Sequence, residues 1–172
     1  MTSTVRSESF HVAGEQLAAT LHDAHLALES YAEGDGGPRA LQLCIDSLHV
    51  VRGVLQLLEI YGASLLAEEM EKTCTFLNDD ANTTDHLSND RLDALSRAMV
   101  QLPAYIERIM GGGKDIPLVL LPLLNDLRAA RGNPLLSEST LLLLNLEPGA
   151  AQRTRQSARI PSGESIKQLV AS

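Results

Sequence analysis

The chain has no tryptophan, only two phenylalanines and three tyrosines among 172 residues. So few rings argue against a base-stacking nucleic-acid surface and leave the interior to Leu, Ala and Val, which suits helix-on-helix packing better than a sheet. Positive charge is also scarce: 14 Lys and Arg stand against 22 Asp and Glu, a formal net charge of -8. A chain of that sign repels a phosphate backbone, so no nucleic-acid partner is expected. Cysteine occurs twice, as Cys44 and Cys74. Met1 to Phe10 is polar and holds no apolar secretory core, so the two cysteines read as free core thiols and the chain as cytoplasmic and soluble. The longest apolar run, Ile116 to Leu124, is far too short to be a membrane span.

What is present is helical periodicity, enough for one domain plus a tail. Leu17, Leu21, Ala24 and Leu28 mark a first helix from about Ser9 to Tyr31, ended by the glycines of residues 32–38. Pro38 is placed to start a second helix that runs to Tyr61, with Leu41, Cys44 or Ile45, Leu48, Val51, Leu55 and Leu58 inward. Gly62 is expected to end or kink it. A third helix, Ala63 to about Asp79, turns Leu65, Leu66, Met70, Cys74 and Leu77 inward and Glu68, Glu69 and Glu71 outward, a solvated acidic face. After a polar loop, Ser88 is an N-cap for a fourth helix, Asn89 to Met110, with Leu92, Leu95, Met99, Leu102 and Ile106 inward and a kink at Pro103.

Gly111 to Gly113 stop that helix, and a fifth runs from Pro117 to about Arg131 with a kink at Pro122. Leu135 to Leu146 is either a short helix or an extended stretch lying on the bundle. From Glu147 the composition turns to Pro, Gly, Ser, Gln and Arg, which reads as a mobile polar linker, with at most the start of a helix over 164–172. The expected fold is all-α: an antiparallel helical bundle of about five helices over residues 9–146, with a flexible tail over 147–172.

His49 is the residue on which a functional reading turns. It lies one step, about 100°, off the inward stripe of the second helix, on a polar face with Gln42, Asp46, Arg52, Gly53 and Gln56. A phosphoryl acceptor needs an accessible neutral ring nitrogen for in-line attack, nearby positive charge for the phosphoryl oxygens, and room for a partner's active site. His49 is the candidate acceptor, Arg52 the candidate phosphoryl clamp and Gly53 the clearance, with Gln42, Asp46 and Gln56 part of a docking face. A glycine inside a helix costs about 1 kcal/mol relative to alanine, so Gly53 calls for a reason. Either a partner comes close there, or another helix of the same domain packs on it.

Other constellations fail. Gly111-Gly112-Gly113-Lys114 is followed by Asp115 rather than Ser or Thr and is preceded by no strand, so it is a helix stop and not a phosphate loop. His22, His25 and Glu29 share one helix face, but a metal site needs three or four convergent ligands and only one helix offers them. No serine has a base partner, and no pair of catalytic carboxylates stands out. No metal and no cofactor is expected.

His49-Val-Val-Arg52-Gly53 resembles the His-x-x-Lys-Gly core of histidine phosphotransfer (Hpt) domains, helical bundles with the histidine exposed on a long helix. Longer stretches carry a closer resemblance. They are Leu55 to Ala63 with Leu66 to Glu71, and Leu118 to Gly132 followed by Leu135 to Thr140. Together they look like the N-terminal, Hpt-like region of CheA-type histidine kinases of the type IV pilus chemosensory system (ChpA or PilL type). That region is also similar to FimL-like pilus scaffold proteins.

The resemblance covers about residues 10 to 146 and implies a signalling module of a two-component, chemotaxis-like system. Its partners would be a CheA-like kinase domain and response-regulator receiver domains. The alternative it implies is a pseudo-Hpt scaffold that binds pilus regulatory proteins without carrying phosphate. Two positions depart from the phosphotransfer pattern. Arg52 replaces the usual Lys, which keeps the charge and changes its shape; and Gly62 lies thirteen residues after the histidine, where the second motif glycine usually lies about ten after it. No ATP-binding or kinase catalytic part is present in these residues, so the chain is not expected to be an enzyme.

Overall fold

A computed structural model describes residues 2–79 and 86–146. Among these residues six α-helices follow one another: α1 (Thr2–Ala32), α2 (Gly37–Leu57), α3 (Tyr61–Asp79), α4 (His86–Met110), α5 (Leu121–Ala130) and α6 (Glu138–Leu146), with a 3-10 turn at Pro117–Leu120. There is no strand among the described residues. The class is the one expected from the periodicity: an all-α helical bundle. No described helix is long and apolar enough to cross a membrane.

α1 to α4 close a ring in which each helix packs on its two neighbours, and α5 lies across α3 and α4. The order of cross-helix pairs gives the directions. His49 meets Glu71 and Cys44 meets Cys74, so positions rising along α2 meet positions falling along α3, and the two are antiparallel. The core is aliphatic. Leu17, Leu21 and Leu28 meet Leu41, Leu48, Val51 and Leu55, with Leu66, Met70, Leu95, Met99, Leu102, Leu124 and Leu127 completing it.

Several boundaries differ from the sequence expectation. α1 begins at Thr2 rather than Ser9. α2 stops at Leu57, four residues short of Tyr61, because the chain enters the left-handed region at Glu59, φ 59°. Ile60 N–H then donates to Leu55 O and Glu59 N–H to Gln56 O, and Ile60 and Leu55 are both buried, which is a Schellman closure built on a glutamate.

Gly62 therefore neither ends nor kinks α2; it lies in the first turn of α3. Its N–H donates to Asp115 Oδ2 at 3.0 Å, and a Cβ there would come within 2.5 Å of Asp115 Oδ1, so glycine lets a distant loop carboxylate cap the helix. Tyr105 Oη donates to the other oxygen of Asp115 and accepts from Ile116 N–H at 2.8 Å.

α4 starts three residues before Asn89, which leaves Ser88 inside the helix rather than at its N-cap. Pro103 lies inside α4. Pro122 does not kink a helix; it occupies the first turn of α5, where its missing N–H is no loss. Leu135 to Leu146 resolves into α6, capped by Ser137, whose Oγ accepts from Thr140 N–H at 3.1 Å. The tail assigned to 147–172 lies outside the described residues.

Candidate functional site

His49 sits midway along α2 with its side chain 63% exposed. Its Nδ1 lies 2.8 Å from Glu71 Oε1 on α3. A contact that short to a carboxylate is made by an N–H, so Nδ1 carries the proton in the neutral ring and Nε2 keeps its lone pair. Arg52, one turn along, places Nη1 at 3.1 Å from Glu71 Oε2 and Nη2 at 3.2 Å from His49 Nδ1. With Nδ1 protonated, the second approach is a contact and not a hydrogen bond. The guanidinium is thus spent on Glu71, on the Nδ1 side of the ring. Glu71 itself is only 15% exposed.

Gly53 lies in the middle of α2, and a Cβ built there meets nothing within 4 Å. Among the described residues no neighbouring helix packs on it. Of the residues placed on the docking face, Gln42 Nε2 donates to Asp46 Oδ1 at 2.9 Å, and both, with Gln56, are exposed. The sequence reading missed the apolar residues of that face. Leu43, Val50 and Leu57, at seven-residue spacing, are 53%, 52% and 84% exposed. The signal was available: a leucine or valine every seventh residue beside the polar row, too far from the inward stripe to be core.

Glu71 was also missed, because α3 was read as presenting a solvated acidic face. Glu69 corrects that reading most sharply. It is 2% exposed, held by Arg128 of α5 at 3.0 Å and by Arg131, the residue that follows the helix. Lys72, by contrast, pairs with the more exposed Glu68 at 2.7 Å. On α1, His25 pairs with Glu29 at 3.1 Å and His22 is exposed; no group of three or more potential metal ligands gathers among the described residues.

The thiols of Cys44 and Cys74 are free, buried and 3.7 Å apart beneath this site. The hydrogen bond with Cys44, and then burial, holds the Cys74 thiol well above the ordinary range.

This chain is similar to Scaffold protein FimL of Pseudomonas aeruginosa. The two are 32% identical over 139 residues, which make up 81% of this chain and 24% of FimL. The chain therefore spans about a quarter of the length of that relative. No protein-family model matches the chain, and no solved structure does.

Proposed function

We propose that this chain is a scaffold-type signalling module that recruits regulatory proteins of the type IV pilus system through the His49 face of α2, in the cytoplasm and without turnover of its own. Its similarity to a protein named as a scaffold supports the recruiting role. The observation that carries the reading is Gly53: a mid-helix glycine with open space over it, flanked by the exposed Leu43, Val50 and Leu57. A polar row beside an apolar row around a point of close approach is the composition of a protein-docking surface.

A second reading is favoured by one specific observation, the Nδ1 contact of the exposed His49 with Glu71. In it the same face receives a phosphoryl group from a CheA-like kinase domain and passes it to a receiver domain. The Nε2 lone pair attacks phosphorus in line, the bond from phosphorus to the donor breaks, and the donor leaves with its electron pair. Arg52 would have to leave Glu71 to reach oxygens bound on the Nε2 side.

One pair of experiments separates the readings. Purified chain is incubated with phosphoramidate and with a CheA-like kinase domain, and intact mass is read for wild type and His49→Gln. Capture of pilus regulatory proteins is measured alongside, with Gly53→Arg and Val50→Asp added. The scaffold reading expects no adduct, capture unchanged by His49→Gln, and capture lost in the other two. An acid-labile phosphoryl adduct on wild type alone would replace it with the relay reading. Capture indifferent to Gly53→Arg and Val50→Asp would remove α2 as the docking face.

A further inference from the structure

Helix α6 reads Glu-Ser-Thr-Leu-Leu-Leu-Leu-Asn-Leu, so its apolar residues surround the axis instead of forming one stripe. Of Leu141 to Leu144 the first alone is buried; Leu142, Leu143 and Leu144 are 54%, 67% and 38% exposed. The 3-10 turn packed against α6 exposes Leu118 and Val119 as well. A helix apolar on every side is ordinarily covered on every side, and clustered exposed aliphatics mark a contact surface. The support beneath is firm. Asn125 bonds both backbone groups of Leu136, at 2.7 and 3.0 Å, and Ser137 caps the helix. The start of α6 is thereby fixed on the bundle.

We propose that this patch is covered by the chain's own segment Ser165–Val170, folding back from the end of α6. Ile166, Leu169 and Val170 stand at i, i+3 and i+4, one helical face, behind Ser165 as a start residue. The intervening residues 147–163 are rich in Pro, Gly, Ser and Arg. A random coil of 17 residues, the number from Glu147 to Gly163, has a root-mean-square reach of roughly 23 Å. α6 itself is only about 14 Å long, so the return is within reach.

Charge favours the same occupant. Up to residue 146 the chain carries ten Lys and Arg against twenty Asp and Glu; beyond it, four against two. The segment and the body attract, whereas a second copy seated on the patch would bring two strongly acidic bodies together. Tethering also makes the contact intramolecular, with an effective concentration in the millimolar range.

Amide hydrogen exchange on the full chain tests this, with sedimentation velocity run in parallel. The variants are Leu142→Asp with Leu143→Asp, both at exposed positions, and Ile166→Asp with Leu169→Asp. The expected result is protection of about tenfold or more over residues 165–170 in wild type, lost in both double variants, with the chain monomeric throughout. Exchange of residues 165–170 at unprotected rates in wild type would overturn the proposal. So would a concentration-dependent dimer abolished by the Leu142/Leu143 pair and indifferent to the Ile166/Leu169 pair, since the occupant would then be a second copy.

Discussion

Glu71 on α3 holds the Nδ1 edge of His49 on α2 at 2.8 Å, so a ring whose side chain is 63% exposed is oriented from a second helix. Removing the carboxylate frees the proton to move. In Glu71→Ala the imidazole is expected to shift from an Nδ1–H majority toward the Nε2–H tautomer, read from the ¹⁵N shifts of the ring. Glu71 is only 15% exposed and also pairs with Arg52, which the change leaves unpartnered, so stability should fall by about 1–3 kcal/mol. An unchanged tautomer ratio would mean that Glu71 does not orient the ring.

Gly53→Ala should stabilise the fold by up to about 1 kcal/mol, since the added methyl meets nothing and alanine is the better helix former. Urea denaturation reads this directly. A loss of stability would show that something of the fold itself packs at Gly53. A gain in stability accompanied by weaker partner capture would separate docking from folding.

Glu69→Ala leaves Arg128 and Arg131 without their shared carboxylate, in a place where Glu69 and Arg131 are nearly free of solvent. The expected cost is about 3–5 kcal/mol. Glu68→Ala, on the wetter side of α3, should cost no more than about 0.5 kcal/mol. Equal costs for the two would contradict the burial of the Glu69 cluster.

Glu59→Gly should raise stability by about 1 kcal/mol, because glycine takes the left-handed conformation at φ 59° without the Cβ penalty. The Schellman bonds on either side are backbone bonds and survive the change. A thermal melt that shifts downward would argue that the Glu59 side chain contributes more than its conformation costs.

Stability should decline on the alkaline side. Cys74 is held protonated in the fold by its hydrogen bond with Cys44 and by burial, and Tyr105 by burial and its bond to the Asp115 carboxylate. Both groups ionise more readily in the unfolded chain, so the folded state binds more protons above the ordinary thiol range, near pH 8.5. Their stabilisation is complete below that pH and is lost as pH rises toward the folded values. A melting temperature falling steadily above about pH 9 is the expected result. The thiols should also stay inert to an aromatic disulfide reagent at pH 8 until the chain unfolds. A flat profile to strongly alkaline pH would refute the linkage.

The inward stripes were legible because a three-to-four spacing of leucines fixes a helix face whatever lies opposite. Leu41, Leu48, Val51 and Leu55 are all buried, as are Leu66, Met70 and Leu77. The exposed placing of His49 follows from the same geometry, being one step away. What the spacing could not disclose is what packs on the flank of a helix. Glu69 looks solvated in α3 alone; it is buried because Arg128 and Arg131 arrive from the C-terminal end of α5, some sixty residues later. Gly62 looked like a helix stop because its partner, Asp115, is a loop residue fifty-three positions away. Glu71 was passed over for the same reason, since its meaning lies in the residues across from it on α2.

The turn between α2 and α3 is three residues long, Leu58 to Ile60, and has a kinetic consequence. His49, Arg52, Glu71 and the Cys44–Cys74 pair all belong to one helical hairpin, joined by contacts of at most thirty residues' separation. Short-range contacts form early and cost little loop entropy. The His49 face of this hairpin is therefore expected to assemble ahead of the long-range clasp that Arg128 and Arg131 make on Glu69. Substitutions that loosen the clasp should shorten the lifetime of the native state while leaving the rate at which this face re-forms almost untouched.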